Sequence, residues 1–106
     1  MTDIVERFYK PGHIRSRSFL VNGVKSRDSK DGPAYEYFRF NGQLRLREFW
    51  VNGKLHRDPT EGPAYEYFHK NGQVERRGFL INGAEHRDPS EGPAYEEFDE
   101  DGVLIY

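Results

Sequence analysis

The chain has 106 residues, 35% of them apolar and 32% charged, and no cysteine. That length supports one small globular or repeat domain and little more, and the lack of cysteine removes disulfides, thiolate metal sites and cysteine nucleophiles. Eighteen acidic residues against 16 basic ones give a net charge of -2, so the bulk composition has neither a nucleic-acid-binding nor a membrane-binding tail.

Acidic Asp3 and Glu6 stand where a signal peptide carries basic residues. No apolar run approaches the ~20 residues that span a bilayer, so a cytoplasmic location is expected. One Trp, seven Tyr and eight Phe argue against disorder. The chain is organised by a period of thirty. Gly-Pro-Ala-Tyr-Glu begins at Gly32, Gly62 and Gly92, Arg-Asp at Arg27, Arg57 and Arg87, and Asn-Gly at Asn22, Asn52 and Asn82. A second Asn-Gly series at Asn41 and Asn71 weakens to Pro11-Gly12 and Asp101-Gly102. A single repeat domain over 1–106 follows, with units 1–30, 31–60 and 61–90 and a partial cap over 91–106.

Asn-Gly between alternating apolar residues predicts hairpins, since both central positions of a type I′ turn need positive φ. In the first unit Ile14, Ser16 and Leu20 alternate with Phe19 and Val21. In the second, strands are predicted over 34–40, 43–51 and 54–57, joined by turns at Asn41-Gly42 and Asn52-Gly53. The third repeats this with a shift of thirty. Strand parity puts Ala34, Glu36, Phe38 and Phe40 on one face and Tyr35, Tyr37 and Arg39 on the other. Leu44, Leu46 and Trp50 change parity with Phe49 and Val51, which predicts a bulge or strong twist near Glu48. The segment 58–63 must be a loop or bulge, because its prolines lack donors. Whether a unit contributes two ladder positions, an advance of about 9.6 Å, or more stays open.

Tyr37-Phe38 before Asn41-Gly42-Gln43-Leu44, then Phe49-Trp50-Val51-Asn52-Gly53-Lys54, and the analogous Tyr67-Phe68, Asn71-Gly72-Gln73-Val74 and Phe79-Leu80-Ile81-Asn82-Gly83, make the chain similar to variant MORN repeats (membrane occupation and recognition nexus) of small bacterial and phage proteins. The resemblance covers most of the chain. It implies an all-β fold, an elongated, curved antiparallel sheet of repeated hairpins, open and solenoid-like. It also implies an antitoxin-like or immunity role for some members and scaffolding or membrane contact for others. The chain departs from the family in its thirty-residue unit and its His-Arg-Asp-Pro at 56–59 and 86–89, and the family supplies no catalytic residue.

His56-Arg57-Asp58 and His86-Arg87-Asp88 have the residue types of an acid–base or metal cluster. Equivalent histidines on neighbouring units lie about 9.6 Å or more apart, too far to share a metal, and Ser26 replaces them in the first unit. A structural role is expected, with Arg57 bound to Asp58, Glu61 or a neighbouring acid. Glu36, Glu66 and Glu96 read as cross-strand partners of Arg45 and Arg47 rather than as a glycosidase pair. No catalytic residue, cofactor or metal is expected.

Tyr35, Tyr65 and Tyr95 should form a row with Tyr37 and Tyr67 beside it, able to anchor a polypeptide. The formal charges of the four segments sum to +4, +1, -1 and -6. The chain therefore reads as a dipolar rod with an acidic cap at Glu96, Glu97, Asp99, Glu100 and Asp101. Another protein is the expected partner, and an immunity, antitoxin or phage inhibitory protein the expected role. The alternative is nucleic-acid binding through Arg15, Arg17, Lys25, Arg39, Arg45 and Arg47 interleaved with aromatics, or a structural oligomerisation module. The apolar end Val103-Leu104-Ile105-Tyr106 motivates a homodimer through a terminal sheet edge. No basic amphipathic membrane anchor is present.

Overall fold

The computed structural model describes residues 2–106; Met1, the first residue of the first predicted unit, lies outside the described residues. The chain forms β1 (Thr2–Lys10), β2 (His13–Val21), β3 (Val24–Lys25), β4 (Tyr35–Phe38), β5 (Leu44–Glu48), β6 (Trp50–Val51), β7 (Lys54–Leu55), β8 (Tyr65–Phe68), β9 (Val74–Gly78), β10 (Leu80–Ile81), β11 (Ala84–Glu85) and β12 (Tyr95–Glu97). The main antiparallel sheet has the order β1-β2-β4-β5-β8-β9-β12. Each unit gives it two strands and sets a short hairpin beside it. Of the two spacings left open by the sequence, this is the two-position advance of about 9.6 Å per unit.

The predicted change of parity near Glu48 falls at Phe49, where β5 ends and the chain leaves the main sheet. The short hairpins then join one another. Arg27 N–H donates to the Trp50 carbonyl at 3.0 Å and Gly53 N–H to the Lys25 carbonyl at 2.8 Å; Arg57 and Gly83 repeat this on Leu80 and Leu55 at 3.1 and 2.8 Å. A second ribbon thus grows beside the sheet in step with it.

The two Asn-Gly series turn differently. Asn22, Asn52 and Asn82 have φ of 53°, 51° and 50° and are followed by glycines of positive φ, as a type I′ turn requires. Asn41 and Asn71 are not left-handed. There Gly42 and Gly72, each at φ 89°, close a turn in which Gly42 N–H donates to the Arg39 carbonyl at 2.9 Å. The Asn41 side chain accepts from Gln43 N–H at 2.9 Å, and a separate bulge follows at Arg45, opposite Tyr37/Phe38. This is the three-residue loop with a glycine bulge rather than a second two-residue turn.

The expectation of an elongated, curved, solenoid-like sheet is overturned. The pairings are hairpin-like and all-β, but the sheet neither closes nor curls strongly, and the molecule is a slab of 43 × 31 × 17 Å. The physical reason lies in the side chains. Both faces carry rows of large residues, phenylalanine and arginine on one and tyrosine on the other, so the bulk of the two faces is balanced and neither contracts around a closed interior.

On the first face, directly opposed residues form one unbroken row of alternating charge: Glu6, Arg17, Glu36, Arg47, Glu66, Arg77 and Glu96. Arg17 Nε donates to Glu6 at 2.9 Å, Arg47 Nε to Glu66 at 2.7 Å and Arg77 Nε to Glu96 at 2.9 Å. Beside the row lie Phe49 and Phe79, only 3% and 4% exposed, and the fully buried Ala34 and Ala64. Arg27, Arg57 and Arg87 stack on Phe19, Phe49 and Phe79 at 3.8, 4.0 and 4.0 Å. Their Nη1 groups donate to the Pro33, Pro63 and Pro93 carbonyls at 3.1, 3.2 and 3.0 Å. Each arginine therefore clasps its inter-unit loop over an aromatic ring, uniting cation–π attraction with a charge-assisted hydrogen bond.

Candidate functional site

The opposite face holds the tyrosines. Ser18, Tyr35, Glu48, Tyr65, Gly78 and Tyr95 are opposed in turn across β2, β4, β5, β8, β9 and β12. The neighbouring row is Ser16, Tyr37, Leu46, Tyr67, Arg76 and Glu97. Opposed residues share a face, so all five tyrosines singled out in the sequence are gathered on one surface, half-buried. Burial raises the Tyr35 and Tyr65 hydroxyl pKa values above the usual range. The Tyr95 hydroxyl is raised chiefly by its 2.6 Å hydrogen bond to Glu97.

The rows are not uniform. Arg76 lies with its guanidinium 4.0 Å from the Tyr67 ring, and Tyr65 meets Tyr67 edge to face at 6.0 Å. Gly78 is buried, and a Cβ there would overlap the Tyr65 ring. Glycine thus lets Tyr65 lie flat across β9, where the second unit has Glu48. The result is a shallow depression of about 220 Å³ lined by Glu48, Leu55, Tyr65, Tyr67, Arg76 and Tyr95. Lys25 sits 4.3 Å from the Tyr35 ring and 5.0 Å from that of Trp50 at the other end of the face.

The acidic cap divides. Glu97 borders the tyrosines through Tyr95. Glu96 lies on the opposite face, 7% exposed, and accepts from Arg77 and Arg87. Asp99 accepts from the Asp101 and Val103 N–H groups, both at 2.9 Å, within a turn, and the Glu100 carbonyl accepts from Asn71 at 2.6 Å. Of this group only Glu100 and Asp101 are exposed.

The basic set is also dispersed. Arg17 and Arg47 belong to the charge row of the first face, Arg39 and Arg45 both donate to the Phe68 carbonyl at 2.8 Å, Lys25 covers Tyr35, and Arg15 is exposed. No continuous phosphate-tracking stripe results. Arg47 pairs with Glu66 as expected, whereas Arg45 takes Glu75 at 2.9 Å.

The His-Arg-Asp groups are explained by the frame. His56 Nδ1 accepts from Asn82 N–H at 3.0 Å, and Ser26 Oγ does the same for Asn52 at 3.0 Å, so both positions link one hairpin turn to the next. Asp58 accepts from the Thr60 N–H and hydroxyl at 2.9 and 2.8 Å; these bonds hold its carboxyl below the usual range, and Ser90 acts likewise on Asp88. Among the described residues, no group of three or more His, Cys, Asp or Glu is placed to hold a metal, and no helix is long and apolar enough to cross a membrane.

Arg76, Gly78, Glu48 and Leu55 were missed as site residues. Their signal is failure to repeat: Leu46 becomes Arg76, Glu48 becomes Gly78 and Leu55 becomes Glu85 between the second and third units, while the clasp and turn residues stay fixed. No family model, curated protein or solved structure matches the chain.

Proposed function

We propose that the chain is a non-enzymatic recognition module that binds another polypeptide on its tyrosine face. The observation that carries this reading is the collection of Tyr35, Tyr37, Tyr65, Tyr67 and Tyr95 on one half-exposed surface around a depression. Tyrosine gives large contact area at low conformational cost and a hydroxyl for orientation. The residues with catalytic potential are spent elsewhere, His56 on a turn, Arg57 on a loop carbonyl and Asp58 on an Asx turn. Within this reading the role proposed is that of an inhibitory, immunity or antitoxin protein.

The test is site-specific photocrosslinking in cells, with the crosslinker at Tyr37 on the tyrosine face or at Arg17 on the charged face. Capture of a discrete protein from Tyr37 and none from Arg17 is the expected outcome. Equal capture from both faces, or none from either, refutes the assignment.

A further inference from the structure

We propose that β1 is a self-complementary edge that joins two copies of this chain into a closed dimer; this goes beyond the polypeptide-binding reading and does not rest on it. β1 ends the main sheet, and among the described residues nothing pairs with its outer side. It also breaks the repeat. Where the later units carry Gly-Pro-Ala before their first strand, at 32–34, 62–64 and 92–94, the first unit has Thr2-Asp3-Ile4, and its strand runs nine residues rather than three or four. The extra residue of the register shift at Arg7/Phe8 is Arg15 on β2, so β1 stays regular from Thr2 to Phe8. A long, regular edge without proline is a template for another strand.

Backbone and side chains together select the occupant and its register. Phe19 N–H donates to the Ala34 carbonyl at 2.8 Å, so Arg17 and Phe19 point their backbone groups at β4, while Ser16, Ser18 and Leu20 point theirs at β1. Arg7, Val5 and Asp3 oppose those three and bond inward, which leaves the N–H and C=O groups of Thr2, Ile4, Glu6 and Phe8 directed out of the sheet. An antiparallel second copy with Val5 on the twofold axis pairs Ile4 with Glu6 and Thr2 with Phe8, for up to about eight hydrogen bonds. The same register sets Asp3 opposite Arg7 twice, in the closer, non-hydrogen-bonded positions. Among the described residues neither Asp3 nor Arg7 takes part in an ion pair within the protomer. Ile4 and Phe8, 58% and 50% exposed, meet their counterparts diagonally across the axis. With the axis at Glu6 instead, glutamate faces glutamate, and with the axis at Ile4, Asp3 faces Val5.

At the other end of the sheet, Glu97 N–H donates to the Tyr106 carbonyl at 3.1 Å and the Glu97 carbonyl accepts from Ile105 N–H at 2.9 Å. The outward groups of β12 are thus taken at Glu97, no matching length of free edge is left there, and the pairing of β1 with β1 closes as a dimer. Its axis stands perpendicular to the sheet, so both tyrosine faces lie on one side, their rows meeting through Ser18 and Val5.

The experiment is sedimentation equilibrium of the whole protein with charge exchange at the edge. The parent should be a dimer that dissociates on dilution and forms no larger species. Asp3→Arg and Arg7→Asp should each raise the dissociation constant at least tenfold, since each sets two like-charge pairs beside the axis. An equimolar mixture of the two variants should recover a dimer, because each copy supplies the charges that the other lacks. The double variant Asp3→Arg/Arg7→Asp should dimerise as well, and it decides the matter if a single variant loses its thermal transition. Glu100→Lys, at the far end of the sheet, should behave as the parent. A parent that stays monomeric throughout the concentration range, a dimer indifferent to both single exchanges, or a species that grows without limit overturns the inference. If the parent is monomeric while Tyr37 still crosslinks to a protein, this inference falls and the polypeptide-binding reading stands.

Discussion

Arg45 and Glu75 occupy the same position of consecutive thirty-residue units, and Arg45 Nη1 donates to Glu75 Oε1 at 2.9 Å. A perfect repeat would place like charges there. The reversal of sign turns a repulsion into a bond that identifies the second unit as neighbour of the third. Arg45 also donates to the Phe68 carbonyl at 2.8 Å, and Tyr9, Arg39 and His69 bond the carbonyls of Phe38, Phe68 and Phe98, each at 2.8 Å. One residue of each unit thus satisfies the bulged backbone of the next.

Charge exchange at this pair should be compensating. Glu75→Arg sets two guanidinium groups together and Arg45→Glu two carboxylates, and each should lower stability by about 1 kcal/mol, with the double exchange recovering much of the loss. Urea denaturation of the four proteins measures the coupling. Burial opposes the charge on Glu75, but Arg45 outweighs it and holds the carboxyl below its usual range. Its contribution is therefore complete above the unfolded glutamate value, about 4.3, and is lost as pH falls through the lower folded value. Glu75→Gln should flatten that acid limb.

The charge row predicts an asymmetry between single and paired substitution. Glu66 is 7% exposed and its carboxylate accepts from Arg47 Nε at 2.7 Å. Arg47→Met strands that carboxylate beside Phe49 and should cost about 3 kcal/mol, toward the lower end of the range for breaking a buried pair because Arg77 is opposite. Replacing both members, Arg47→Met with Glu66→Leu, should recover most of it, since dry packing replaces desolvated charge. Thermal or chemical unfolding distinguishes the two results.

The loop clasp predicts a strict requirement at Gly62. Its φ is 143°, and a Cβ would press on the Arg57 guanidinium that stacks on Phe49. Gly62→Ala should destabilise by more than about 1 kcal/mol, because alanine is strained at that φ and also displaces the clasp. Arg57→Lys should also weaken the fold, for lysine has no planar fork to stack and bond at once. Resistance to limited proteolysis between the units should fall in both variants.

Asp58 predicts a local acid sensitivity. The Thr60 N–H and hydroxyl lower its pKa in the folded state, so its contribution is present above the unfolded aspartate value, near 3.9, and is lost as pH falls through the lower folded value. Asp58→Asn keeps an acceptor for the Asx turn without the titration. The protection factor of the Thr60 amide, corrected for the intrinsic pH dependence of exchange, should fall on acidification in the parent and stay level in the variant.

Much of the frame was legible because its determinants are local. Asn52-Gly53 carries its own turn geometry, Phe49 breaks parity, and Gly62-Pro63 cannot join a ladder. Alternation likewise gathered Tyr35 and Tyr65 on one face. Curvature was not legible from these signals, since it depends on how the bulk of both faces balances over seven strands. The charge row was half visible: Glu36, Glu66 and Glu96 recur with Arg45 and Arg47 close by, but only the bulge at Arg45 shifts the register so that Arg47, and not Leu46, opposes Glu36. Arg76 and Gly78 were obscured for the opposite reason, because a search for repetition passes over the positions where repetition stops.

The alternating row also acts as a parity rule on how this gene can change length. Every full unit brings one glutamate and one arginine, Glu36 and Arg47 in the second, Glu66 and Arg77 in the third. Recombination that adds or deletes a whole unit keeps opposite charges facing each other at the junction. An event that removes a single strand brings glutamate against glutamate or arginine against arginine in the middle of the sheet. Unequal crossover would be filtered at the folding step, with arrays of whole units surviving and half-unit products discarded.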